Sequence, residues 1–416
     1  MLAILTTHPI QYQVPLWQAL AKDGRVPFEV WYLTSHATKP ARDPEFGREF
    51  AWDLDTLAGY PHKFLDVAPA ATPGSFWNCR LREKLRERLG ESGARVLWIQ
   101  GWQVAAYWQA VSEAKAGGVE VWLRGESNDL APTPAWKMPI KRMALKWLFK
   151  RIDRFLYIGS ANRRLYQKFG MPDEKLFPAP YAVDNERFAE QANRLRDSRL
   201  AIRDSWNIPR DAFVVLFCGK FIPKKRPMDL VAAAQLLRSE QGGKREGRSG
   251  LTSARLPLSP AAPHLLFAGS GELGRQLRTA CSVAYDAESS SGSPVTGQSS
   301  LPRASFAGFL NQKEISRAYV AADVLVLPSD YSETWGLVVN EAMASGLPCI
   351  ISDHCGCAED LGTISPNAIY DCGNVESLAR ALMTLKQRPE GAVVPRDLDH
   401  YSFDTTVGTV ANICSR

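Results

Sequence analysis

Pro328-Ser-Asp-Tyr-Ser-Glu333-Thr-Trp-Gly336-Leu-Val-Val-Asn-Glu341-Ala-Met-Ala-Ser-Gly346-Leu-Pro348 follows the apolar run Val324–Leu327. A short apolar run bounded by turn residues reads as a buried strand. The stretch after it reads as a loop and then a helix. That helix is expected to start near Trp335 or Gly336 and to stop at Gly346 and Pro348. Free backbone N–H groups at such a start, at the positive end of the helix dipole, suit a phosphate. Gly336 leaves room for close approach of a ligand. Glu341 falls about a turn and a half into the helix, where its carboxylate can accept two hydrogen bonds from a vicinal diol such as a ribose. Glu333 precedes the helix, where it can accept from sugar hydroxyls. For an isolated glutamate pair the plainer reading is two solvated side chains on a surface helix.

Working outward, the same strand-then-helix alternation runs along nearly all of the 416 residues. Strands are expected at Leu2–Thr6, Phe28–Leu33, Val96–Ile99, Glu120–Leu123 and Phe155–Ile158. A second series is expected at Phe213–Cys218, Leu265–Ala268, Val324–Leu327 and Cys349–Ile351. Helical patterns lie between them at Val14–Ala21, Leu81–Leu89, Ala161–Phe169, Met228–Arg238 and Ile315–Ala321. Alternating elements imply α/β architecture, with parallel sheets covered on both faces. Two series imply two Rossmann-like domains. The seam is placed within the polar stretch 178–211, which begins Pro178-Ala-Pro-Tyr-Ala-Val-Asp184. Segments 239–263 and 286–303 lack periodicity and read as surface loops.

Composition narrows the function classes. Hydrophobic residues at 45% and charged residues at 23% exclude a wholly disordered chain, a collagen and a disulfide-stapled miniprotein. No apolar run reaches the length of a transmembrane helix. The start, Met1 to Leu5, breaks at Thr6-Thr7-His8-Pro9 and lacks the features of a signal peptide, so a cytoplasmic location is expected. The eight cysteines show no paired spacing, and Cys355-Gly-Cys357 beside His354 reads as a turn rather than a zinc site. Fifty basic against 44 acidic residues give a net charge of +6. That balance permits contact with phosphates or an anionic membrane. No nucleic-acid module is present, so no nucleic-acid partner is expected.

Further motifs precede the opening stretch. Phe217-Cys-Gly219-Lys220-Phe-Ile-Pro-Lys-Lys225-Arg-Pro follows a predicted strand. Lys220 and Lys225 can be brought to one diphosphate, and fixed cations aimed at a departing diphosphate stabilise the transition state without a metal. Gly269-Ser-Gly271-Glu-Leu-Gly274 also satisfies G-x-G-x-x-G after a strand, the dinucleotide-binding pattern. That reading requires an acidic residue about 20 positions on. Asp286 and Glu288 are near that distance, at the edge of a Ser-rich loop.

The two glutamates separated by seven residues, with glycine between and Ala-Met-Ala-Ser-Gly-Leu-Pro behind, resemble the E-x7-E region of retaining glycosyltransferases of family 4. The Gly219–Pro227 segment resembles that family's G-R-L-x-x-x-K-G motif, with Lys220 where many members carry arginine. Ala268-Gly269-Ser-Gly271-Glu-Leu, Phe306-Ala-Gly308-Phe309-Leu310 with Ala322-Asp323-Val324, and Pro180-Tyr-Ala-Val-Asp184 resemble further family motifs. Together they cover roughly 155–362, in the family's order. The resemblance implies the GT-B fold, two Rossmann-like domains facing each other across a cleft. It implies an acceptor-binding domain over 1–185, a nucleotide-sugar-binding domain over 186–400, and a final helix within 401–416 returning to the first domain. It further implies sugar transfer from a UDP- or GDP-sugar, UDP favoured, to a hydroxyl acceptor with retention, by front-face substitution. A growing surface polysaccharide or a lipid-linked glycan is the implied acceptor, and neither metal nor cofactor is implied. In that frame Glu333 orients the sugar, Glu341 holds the ribose, and Lys220 and Lys225 with the amides near Gly336 and Leu337 stabilise the diphosphate. Gly219, Gly269, Gly271 and Trp335 line the site, and Phe309 and Leu310 lie near the base. Two other classes stay open: an NAD-dependent oxidoreductase using the Gly269–Gly274 turn, and a non-catalytic nucleotide-sugar-binding protein.

The N-terminal half is less informative. Thr7-His8-Pro9-Ile10-Gln11-Tyr12 follows the first strand, and in α/β sheets that loop usually faces the ligand crevice. His8, Gln11 and Tyr12 are therefore candidates for donor-sugar or acceptor contact, although the glycine-rich loop of many relatives is absent. Arg124 and Glu126 stand near where many relatives carry a histidine. Glu126 reads either as an acceptor-side base or as half of a surface pair with Arg124. Asp53-Leu-Asp55 mimics a metal-binding D-x-D and is set aside. Residues 137–154 hold seven basic residues and one acidic residue, interleaved with apolar ones. They read equally as a peripheral contact with the inner membrane face and as a packed domain helix with snorkelling cations.

Overall fold

The computed structural model describes residues 1–36, 41–43, 48–50, 55–132, 138–242, 262–289, 300–331, 333–387 and 398–415. The chain divides into two compact units. The first takes Met1–Ala41, Glu49–Asp184 and Asp399–Arg416; the second takes Arg42–Arg48 and Asn185–Leu398.

The first unit is built on a seven-stranded parallel sheet. Its strands lie in the order His62–Phe64, Phe28–Tyr32, Leu2–Thr6, Val96–Ile99, Glu120–Leu123, Arg154–Tyr157 and Leu176–Pro178. Strand residues alternate between faces, and here both faces are buried. Ala3 and Leu5 join one core with Leu97, Ile99, Ala110, Leu145 and Leu148. Leu2 and Ile4 join the other with Val14, Trp17, Trp98, Val407 and Val410. Apolar residues at every strand position are what a sheet covered on both sides requires. Val407 and Val410 belong to the final helix, Phe403–Cys414, whose start is capped by the Ser402 hydroxyl accepting from the Thr405 amide at 3.3 Å.

The second unit has its own seven-stranded parallel sheet. The order is Ser282–Asp286, Arg303–Gly308, His264–Ala268, Val214–Cys218, Val324–Leu327, Cys349–Ser352 and Ala368–Tyr370. One face is covered by a core that includes Leu230, Ala234, Leu237, Leu378 and Leu382.

Five strands of these two sheets escape the sequence reading: His62–Phe64, Leu176–Pro178, Ser282–Asp286, Arg303–Gly308 and Ala368–Tyr370. Four are sheet edges, where one side has no neighbour and the apolar demand is weaker. Arg303–Gly308 is internal but built from small residues that carry little β signal. The polar stretch after Asp184, read as a seam, is helical at Asn185–Leu195 and Arg199–Ser205. Its arginines serve packing. Buried Arg203 donates to the carbonyls of Ala321, Arg210 and Ala212 and pairs with Asp323 at 2.9 Å. Most of the two segments read as loops, 243–261 and 290–299, lies outside the described residues, as do Asp53 and Lys137.

Candidate functional site

In an open α/β sheet, ligands bind outside the carboxyl ends of the strands where strand order reverses. In the second unit that point lies between Val214–Cys218 and Val324–Leu327. The loops leaving those two strand ends are 219–227 and 328–336. The topology therefore brings the Lys220/Lys225 segment beside the Glu333 segment.

The side chains meet. Lys225 Nζ donates to Glu333 Oε2, across 108 residues of sequence, and the Ser329 hydroxyl donates to the same oxygen at 3.0 Å. Both members of the ion pair are largely shielded from solvent. Backbone bonds clasp the loops: the Asp330 amide donates to the Lys224 carbonyl at 2.9 Å, and the Gly356 amide to the Glu333 carbonyl at 3.0 Å. Pro223–Lys225 forms one 3₁₀ turn, ended by Arg226 at φ 49°. Arg226 is held there by Asp229 at 2.8 Å. Cys355 and Cys357 form the turn behind Glu333. Both are buried, and burial pushes their thiols well up, so they are packing groups and not nucleophiles.

The helix after Glu333 spans Leu337–Ala344, with Gly336 as its N-cap at φ 112°. A Cβ at Gly336 would sit 2.5 Å from a Leu327 methyl, so glycine is required by both conformation and space. Trp335 does not project as an open ligand platform. Its side chain is buried and its indole N–H donates to Asn340 at 2.8 Å.

Glu341 is 7% exposed. The Tyr319 hydroxyl donates to its Oε2 at 2.5 Å, and the Gln312 side chain also reaches it. Gln312 in turn accepts from Arg187 at 2.8 Å. Burial raises the Glu341 carboxyl above its ordinary value, against the pull of these donors and of the Arg187 charge. A buried carboxylate that, among the described residues, forms no ion pair is suited to accept from neutral hydroxyls.

Gly219 and Gly271 are both at φ 149°, and Gly269 is at φ 140°. A Cβ on Gly269 would lie 2.0 Å from the Gly219 carbonyl oxygen, and one on Gly271 2.7 Å from that of Phe221. The turn and the 219–221 segment are packed backbone to backbone, with Phe221 N–H donating to the Ser270 carbonyl and Leu273 N–H to that of Phe221, each at 2.9 Å. These glycines thus hold the lysine loop in place. The acidic residues that a dinucleotide site would need are engaged elsewhere: Arg278 binds Asp286 at 2.6 Å and Glu288 at 2.9 Å. The oxidoreductase reading is not favoured. Lys220 is half-buried in the same loop, and Phe309 and Leu310 are half-buried just beyond Arg303–Gly308.

Sequence reasoning missed Ser329, Tyr319, Gln312 and Arg187. Ser329, Tyr319 and Gln312 touch a predicted residue across a turn or between elements, Arg187 acts through Gln312, and no local spacing signals that. Ser329 lies within the quoted stretch and could have been picked as a hydroxyl one helical turn's length before Glu333.

The first unit presents a separate set of residues. Half-buried His8 meets the Thr7 hydroxyl at 2.9 Å and packs edge-on against His36. Burial, then the neighbouring His36, lowers its pKa to about 4, so it is neutral at pH 7. Gln11 is buried and Tyr12 exposed. Arg124 forms no surface pair with Glu126. It is 3% exposed, donates to the Ala179 and Pro180 carbonyls at 3.2 and 3.4 Å, and stacks on Tyr181, while Glu126 faces solvent. Asp55 caps its own turn by accepting from the Leu57 amide at 3.0 Å.

Residues 301–396 match the family described as Glycosyl transferases group 1. A D-inositol 3-phosphate glycosyltransferase of Streptomyces scabiei is 26% identical over 247 residues, 58% of this chain and 48% of that protein. The sulfoquinovosyl transferase SQD2 of Arabidopsis thaliana is 40% identical over 83 residues, 19% of this chain and 16% of that protein. The chain thus spans about half, or less, of the length of these curated relatives. Among solved structures, Anabaena HepE in complex with UDP and glucose aligns over 100% of this chain and 99% of its own at TM-score 0.63 and 13% identity. Sucrose-phosphate synthase from Thermosynechococcus elongatus aligns over 100% and 98% at TM-score 0.61 and 17% identity. With two seven-stranded parallel sheets flanked by helices, the chain has the GT-B fold.

Proposed function

We propose that the protein is a retaining glycosyltransferase that moves a sugar from a nucleotide-sugar to a hydroxyl acceptor. The observation that carries this reading is the joining of Glu333, Lys225 and Ser329 in one hydrogen-bonded group beside the Gly336 helix start. Glu341 lies eight residues further on, buried, with the Tyr319 hydroxyl donating to one of its oxygens. A ribose diol on Glu341 leaves the diphosphate to the Gly336 and Leu337 amides and to Lys220 and Lys225. Negative charge grows on that diphosphate as the bond to the sugar breaks, and fixed donors there lower the barrier. Glu333 orients the sugar, and in front-face substitution the departing phosphate oxygen takes the acceptor proton. Phe309 and Leu310 bracket the base.

A uridine nucleotide is the favoured donor, a choice supported by the UDP complex of a neighbour with the same fold. The first unit is assigned the acceptor, a growing polysaccharide or lipid-linked glycan. His8, neutral at pH 7, is assigned a hydrogen bond there rather than a charge. The eight cysteines are all free, which suits the reducing cytoplasm. Among the described residues no helix is long and apolar enough to cross a membrane.

The test is a melting-temperature panel with UDP, GDP, ADP, their sugar conjugates and NAD, without and with magnesium. Binding to the folded state raises the transition by mass action. A metal-independent rise with one nucleoside diphosphate is expected. A rise with NAD alone overturns the reading. Glu333→Gln is expected to keep donor binding while turnover falls at least ~100-fold, the scale of one lost transition-state donor or acceptor. Full turnover in that variant removes the catalytic assignment.

A further inference from the structure

The helix Met138–Phe149 in the first unit carries two apolar faces, and only one serves the fold. Leu145, Leu148 and Phe149 point inward and join the core beneath the sheet, together with Ile152. Ile140, Met143 and Trp147, at steps of three and four, form a separate stripe that is 67%, 70% and 41% exposed. Large apolar side chains this open, grouped on one helix face, cost solubility unless something covers them.

The stripe continues off the helix. Trp147 stacks on Trp108 at 5.8 Å, Trp108 packs edge-on to Phe76, and Phe76 to Trp77, which is 68% exposed. Three elements distant in sequence therefore supply one aromatic and aliphatic strip. Cations surround it. The helix and the two residues after it hold Lys141, Arg142, Lys146, Lys150 and Arg151 and no acidic residue. The Arg151 guanidinium lies 3.7 Å from the Trp147 ring centre, and Arg80 lies over Trp77. The nearest acidic residue following, Asp153, is tied to Lys115 and to the Val121 amide.

We propose that this strip docks the protein on an anionic lipid surface. The chemistry of each part matches one layer of a bilayer interface. Tryptophan prefers the headgroup level, where its ring is buried and its N–H stays wet. Ile140 and Met143 reach the acyl boundary, as on a helix lying in the interface plane. The flanking lysines and arginines meet lipid phosphates, each adding attraction near a negative membrane. An acidic protein partner would account for the cations alone. A second copy of this chain would bring its own cations to the same strip and be repelled.

The test is co-sedimentation of the full chain with vesicles, one set of pure phosphatidylcholine, the other of three parts phosphatidylcholine to one part phosphatidylglycerol. Binding to the anionic set is expected, weakened by salt. The double variant Ile140→Glu, Met143→Glu is expected to lower that partition at least ~10-fold. Both positions are open to solvent, so an unchanged melting temperature confirms folding. Lys146→Glu with Lys150→Glu is expected to abolish the preference for anionic vesicles. Three results overturn the proposal: no partition into either set, equal partition into both, or a double variant that binds like the parent. Conversion of a dimer to a monomer by the double variant, without vesicle binding, assigns the strip to self-association instead. None of these outcomes depends on donor binding or turnover, so the proposal and the enzymatic reading fail separately.

Discussion

Replacing Tyr319 by Phe removes one hydroxyl from the centre of the donor site and leaves the ring volume in place. That hydroxyl donates to Glu341 Oε2 at 2.5 Å, in a pocket where the carboxylate is 7% exposed. Burial already raises the Glu341 carboxyl, and Tyr319 is the strongest of the groups pulling it back down. Removing the hydroxyl therefore pushes it further up. The ionised carboxylate is the form that accepts both ribose hydroxyls, so nucleotide affinity rises with pH through the raised value. A hydrogen bond to a charged group contributes about 1.5–3 kcal/mol. Loss of that much from the ionised form lowers affinity by up to ~10-fold or more at pH values where it leaves the carboxyl protonated. Calorimetric titration with the nucleoside diphosphate, repeated across a pH series, reads this directly. The variant is expected to bind more weakly on the acid side of the series, and the gap is expected to narrow as pH rises. An unchanged affinity across the whole pH series refutes the reasoning. So does a deficit that is the same at every pH, since that would reflect lost packing rather than protonation.

Other consequences can be measured independently. Gly269→Ala places a Cβ 2.0 Å from the Gly219 carbonyl oxygen at φ 140°, and should lower the unfolding free energy by about 3 kcal/mol in denaturant titration, an outcome that a wild-type midpoint would contradict. Lys225→Ala should weaken nucleoside diphosphate binding by about tenfold or more, because it deletes a charged donor, and unchanged affinity would remove Lys225 from the diphosphate site. His264, buried in the second sheet, bonds the Ser305 hydroxyl at 2.8 Å, and burial, then Arg303 and Arg203, lowers its pKa to about 3. A base with a depressed folded pKa contributes stability that is complete above 6.5 and lost as pH falls toward about 3. His264→Gln should therefore make the acid limb of an unfolding-free-energy profile from denaturant titration shallower, by roughly 5 kcal/mol at its lower end, and an identical acid limb would show that His264 does not govern it.

Much of the architecture was legible in the sequence because its signals are local. Central strands such as Leu2–Thr6, Val96–Ile99 and Val324–Leu327 are buried on both faces, so each is an unbroken apolar run that needs no partner to be seen. Gly336 and Gly346 mark helix ends through backbone conformations that any sequence must meet with glycine. The order of strands and helices, the position of Glu333 in a loop and that of Glu341 in a helix follow from such signals. Tertiary structure alone decided which of these residues touch. Lys225 reaches Glu333 because the strands bearing their loops are neighbours at the reversal of strand order, a property of the sheet and not of either segment. Tyr319 reaches Glu341 from a different helix. Arg124 is a buried clamp on the 179–181 backbone rather than a surface charge, because its strand end meets the chain returning from Leu176–Pro178. Local pattern determines which element a residue occupies; contact between elements is set by how the layers stack, which no spacing along the chain encodes.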